Sequence, residues 1–79
     1  MNYADIVKAL PKDVADTLQV ELDNVNITDT MSEDEVFELA EDAIKLTRIK
    51  VVIDDDEKRR LVDTLLSFVA QSVVSVVFA

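Results

Sequence analysis

Residues 54–79 read DDDEKRRLVDTLLSFVAQSVVSVVFA, with no proline or glycine to interrupt the run. Taken as a helix, its polar residues Arg60, Asp63, Thr64, Ser67, Gln71 and Ser75 recur at every third or fourth place and draw one narrow stripe. The rest of that surface, from Leu61 to Phe78, is apolar. A helix that is apolar around most of its circumference has to be covered on several sides, by its own chain, a second copy, a partner or lipid. The residues expected to meet that cover are Leu61, Leu65, Phe68, Val69, Val73, Val76 and Phe78.

Length limits how much cover the chain can supply. With 79 residues it is one domain, 1–79, at the size where a single core is barely large enough to hold a fold without staples. The sequence has no Cys and no His, so disulfides, zinc fingers and iron–sulfur sites are excluded. Hydrophobic residues at 49% and charged residues at 32% describe a globular chain, too apolar for a disordered tail and too charged to be wholly membrane-embedded. Absent cysteine and an N-terminal stretch, MNYADIVKALPKD, without a signal-peptide pattern set the expectation of a cytoplasmic protein.

The upstream sequence supplies amphipathic helices. Asn2 caps a short helix over 3–10 whose Tyr3, Ile6, Val7 and Leu10 share one side. Pro11 breaks it and serves as the first residue of a second helix over 11–23, with Val14, Leu18 and Leu22 four apart. Residues 24–31, NVNITDTM, read as a loop. A Ser32-x-x-Glu35 capping box opens a third helix over 32–50, where Val36, Leu39, Ala40, Ala43, Ile44 and Thr47 fall at helical spacing. Its acidic residues come early and its basic ones late, which complements the helix dipole. Phe37, Leu46 and Ile49 lie outside the narrowest stripe, as expected of a helix with neighbours on two sides. The IKVVI stretch at 49–53 is read as helix end and turn, being short for a strand and lacking an evident pairing partner. A fourth helix over 55–78 completes an all-α fold: a small bundle of three to four helices around an apolar C-terminal helix, finished by homodimerisation.

Chemistry finds little to work with. Without His or Cys the usual general base, thiolate and transition-metal ligands are missing, and without Gly there is no P-loop or dinucleotide fingerprint. Ser32, Ser67, Ser72 and Ser75 have no visible activating partner, so the reading is non-enzymatic, with no cofactor. Two metal arrangements can be traced. Asn24, Asn26, Thr28, Ser32 and Glu35 partly follow calcium-loop spacing, but the leading Asp and the Gly at position six are absent, and capping accounts for Ser32 and Glu35. Asp54, Asp55, Asp56 and Glu57 serve more simply as an N-cap and acidic first turn. No metal is expected.

A net charge of -9 opposes binding to nucleic-acid backbones and suits a basic protein partner or the solubility of a chain with a large apolar face. The leading expectation is a protein-binding regulator or inhibitor that acts as a helical homo-oligomer, a dimer first. Alternatives are a structural or assembly subunit, a C-terminal membrane anchor over 61–79, a helix that itself inserts into a target's groove, and a nucleic-acid mimic that blocks a DNA-binding protein. The anchor carries a heavy polar load in Asp63, Thr64, Ser67, Gln71, Ser72 and Ser75. Small, acidic, motif-free chains of this kind resemble in composition the regulators and anti-host factors that phages encode.

Overall fold

A computed structural model describes residues 2–28 and 30–79. Five α-helical stretches follow in order: α1 (Tyr3–Ala9), α2 (Lys12–Asn24), α3 (Glu33–Lys50), α4 (Asp56–Leu66) and α5 (Val69–Val77). The small all-α bundle read from the periodicity is the architecture observed.

Local chemistry places the boundaries. Asn2 Oδ1 accepts the Asp5 backbone N–H at 2.9 Å and starts α1. Proline disfavours helical backbone in the residue before it, and Leu10 is accordingly extended, with ψ 147°. Pro11 is extended too and occupies the N-cap position, so α2 begins one residue later than the sequence reading placed it. At the far end of α2 the chain turns through Asn26, whose φ of 55° is left-handed. Asparagine tolerates that region better than most residues, and here it fills the position glycine commonly takes after a helix.

The capping box of α3 is formed: Glu35 N–H reaches Ser32 Oγ at 3.2 Å, and Glu35 Oε1 receives the Ser32 N–H at 3.5 Å. Beyond Lys50 the backbone extends rather than turning at once. Val51 and Ile53 are half-buried against the core while Val52 between them is exposed, the alternation an extended segment imposes. Asp55 then caps α4 by accepting the Lys58 N–H at 2.9 Å.

A break separates α4 from α5, where the sequence predicts one helix over 55–78. Ser67 Oγ donates to the Thr64 carbonyl at 2.5 Å, and the Phe68 N–H turns to Leu65 O at 3.1 Å instead of its helical partner at Thr64. Serine hydroxyls compete for helix carbonyls in this way, and the regular ladder resumes at Ser72 N–H to Phe68 O. Both turn residues keep right-handed helical backbone, so the break is a tightened turn rather than a change of chain direction.

In the packing, α3 touches α5 and α2, and α5 also meets α1 and α4. Val36, Ala40, Ala43 and Thr47 of α3 are fully buried, and the two alanines let neighbouring helices approach closely. Phe37, Leu46 and Ile49 are exposed, so the neighbours of α3 do not reach around to them. The core joins Val36, Ala40 and Ile44 of α3 to Ile6, Leu10, Val14, Leu18, Val62, Leu66 and the inner side of α5. Buried polar groups are satisfied, Ser72 by Phe68 O at 2.8 Å. Thr47 Oγ1 donates to Ala43 O at 2.8 Å, and Glu21, buried on α2, pairs with the half-exposed ammonium of Lys50 at the end of α3.

Two outcomes follow from this packing and can be read in urea denaturation. Leu18→Ala, at a fully buried site, should cost about 2–5 kcal/mol, the range for truncating a core leucine. Lys50→Met should cost about 1–2 kcal/mol, because it leaves Glu21 without its partner while the lost ammonium was itself partly solvated. No measurable loss in either variant would contradict the assigned core.

Candidate functional site

Packing against α3 and α1 sets which residues of the C-terminal segment face inward. On the inner side Leu65, Val69 and Val73 lie in the chain's own core, at 7%, 0% and 9% exposure. Leu61, Phe68, Val76 and Phe78 stay in solvent, at 59%, 48%, 62% and 40%. The expected interface therefore divides into a buried set that α3 and its neighbours cover and an outer set that the described chain covers only in part. The whole polar stripe, Arg60, Asp63, Thr64, Ser67, Gln71 and Ser75, is exposed beside the outer set.

That outer face differs from the rest of the surface in its charge. No Asp, Glu, Lys or Arg follows Asp63, although charged residues make up 32% of the chain. Phe68, Gln71, Ser75 and Val76 join Asn2, Tyr3 and Ala79 around a shallow groove of about 570 Å³. Its hydroxyls are turned to their own helix: the buried Ser72 Oγ donates to Phe68 O at 2.8 Å and the exposed Ser75 Oγ to Gln71 O at 3.1 Å.

A second concavity lies between α2, the loop after it and α5. About 360 Å³ in volume, it has Leu22, Ile27, Val73, Val76 and Val77 for apolar walls and Tyr3, Gln19, Asp23 and Asn26 for polar lining. The polar groups form a relay in which Tyr3 O–H donates to Gln19 Oε1 at 3.1 Å and Gln19 Nε2 donates to Asp23 Oδ1 at 3.0 Å. Burial, and after it the negative charge of Asp23, pushes the Tyr3 phenol above its ordinary value of 10.0. Sequence reasoning missed this cleft. Its walls come from separated segments, and only the lone tyrosine among otherwise ordinary helix residues hinted at it.

The polar clusters traced in the sequence have structural partners. Ser32 and Glu35 bond each other, Asn24 closes α2, Asp55 caps α4, and Asp56 pairs with Arg59 at 3.0 Å. Arg48 ties α3 to α4 through Asp63 at 3.3 Å. Among the described residues no three His, Cys, Asp or Glu side chains gather closely enough to hold a metal ion.

By length and composition alone, Asp56–Val77 could cross a membrane, with mean hydropathy 1.5 over its most apolar window. In the fold 44% of that window is buried within the chain itself. Comparison of the chain with protein-family models, curated proteins and solved structures finds no match in any of the three.

The shifted phenol gives a direct check of the cleft, because the chain has one tyrosine. Ultraviolet absorbance should place its ionisation above 10.0, and Asp23→Asn should lower the midpoint without returning it fully, since burial is the larger cause. A raised folded value means that this contribution to stability is intact below 10.0 and is lost as pH climbs through the raised midpoint. A wild-type midpoint at or below 10.0 would show that Tyr3 is not seated as described.

Proposed function

We propose that the chain is a small, non-enzymatic protein-binding module that works as a homo-oligomer, with a dimer as the unit, paired through the outer face of α4 and α5. One observation carries this reading: a solvent-facing set of large apolar residues, Leu61, Phe68, Val76 and Phe78, in a stretch where charge ceases after Asp63 on a chain of net charge -9. Two copies meeting elsewhere would oppose acidic surfaces, whereas along α5 they meet without charge on either side. A symmetric pair also gives a marginally sized bundle additional core.

The acidic helices left outside such a pair keep it soluble and present carboxylates to a basic protein partner, which is the basis for regarding it as a regulator or inhibitor. In this reading the inner set Leu65, Val69 and Val73 holds the fold, and the outer set holds the second copy. A cytoplasmic setting accords with the absence of cysteine.

Two neighbouring substitutions separate the roles. Val69→Asp places an unpaired charge at a fully buried site and should unfold the protein. Phe68→Asp, at a half-exposed site, should leave the circular dichroism spectrum intact while moving the sedimentation equilibrium at tens of micromolar from dimer to monomer. A wild-type monomer at that concentration, or a dimer that tolerates Phe68→Asp, would contradict the proposal.

A further inference from the structure

The cleft beside α2 makes chemical sense as a binding site in its own right. Its volume of about 360 Å³ falls within the range of small-molecule pockets, roughly 300–1,000 Å³. Leu22, Ile27, Val73 and Val77 give it an apolar wall, and among the described residues Asp23 is the only charged one lining it. The position of that carboxylate is the informative part. It lies in the last turn of α2, where unsatisfied carbonyls give the helix end partial negative charge, and no basic residue stands in that turn to offset it. Nor does Asp23 enter a salt bridge among the described residues.

Gln19 nevertheless donates to this carboxylate at Oδ1, and Tyr3 in turn donates to the Gln19 amide oxygen, both at exposed positions. Oδ2 accepts no hydrogen bond from the described residues. An anion at an electrostatically adverse position, at the rim of an apolar pocket, is complementary to a cation attached to an apolar body. We propose that the cleft binds a small organic cation, a primary ammonium on an aryl or alkyl body, with the ammonium on Asp23 and the apolar part against Leu22, Ile27, Val73 and Val77. The site differs from the outer groove in that Phe68 does not line it, although Tyr3 and Val76 border both.

The test is an amide-resolved NMR titration of the full chain with phenylpropylammonium, phenylpropanol and phenylpropanoate, three probes of similar shape and different charge. The ammonium should give saturable shifts at Gln19, Asp23, Ile27 and Val77 and bind about threefold to fivefold tighter than the alcohol, the span expected of one solvent-accessible ion pair, with the carboxylate weakest. Asp23→Asn, at an exposed site, should equalise ammonium and alcohol while changing the net charge only from -9 to -8, which separates the site from general attraction to an acidic protein. Val77→Phe should fill the cleft and abolish all three shifts, and the Phe68→Asp variant should bind as the wild type does whether or not the chain self-associates. Absence of saturable shifts, equal affinity of ammonium and alcohol for the wild type, or shifts centred on Phe68 and Ser75 would each overturn the proposal.

Discussion

The packing of one side of α5 against α3 and α1 is the contact on which the rest of the bundle rests. With 79 residues, the chain can surround a strongly apolar helix only in part, and the side it covers carries Val69, Ala70, Val73 and Val74. For α3 to lie there it must present small residues, and Ala40 and Ala43 are fully buried. α2 then packs on α3, with the Glu21–Lys50 pair closing the seam between them. The first four helices each bury one stripe and leave charged residues to water, whereas α5 has no charged residue and leaves Val76 in water beside its polar residues.

How much of this was legible depends on whether the deciding interaction is local. The Ser32–Glu35 box is three residues apart and needs no tertiary context, so the start of α3 can be read from the chain. The Val14, Leu18 spacing identifies the buried side of α2 for the same reason. The division of the last segment is not local. Val69 and Phe68 are adjacent and similarly apolar, and only the placement of α3 and α1 decides that one is sealed and the other half-exposed. Leu65, Val69 and Val73, grouped by sequence with the outer residues, belong by packing to the fold itself.

The helix break was hidden for a related reason. Its cause is one hydroxyl, Ser67 Oγ, taking the Thr64 carbonyl that Phe68 would otherwise use, and serine in a helix does this only in some settings. Glu21 was equally illegible, because the partner that accounts for its burial, Lys50, lies 29 positions along the chain. The cleft depends on Tyr3, Gln19 and Asp23, the first of them sixteen residues from the second. Periodicity reports which way a helix faces, but not which distant polar groups will meet across it.

Charge completes the partition. Acidic residues occur in α1 to α4, the last of them Asp63, while α5 has none, and the proposed pairing depends on that separation. The most direct measurement of that separation is an isotope-filtered NOE experiment on a mixture of labelled and unlabelled protein. The account predicts intermolecular NOEs to the side chains of Leu61, Phe68, Val76 and Phe78 and none to Val69. Intermolecular NOEs confined to other surfaces, or none at concentrations well above the dissociation constant of a dimer, would contradict it.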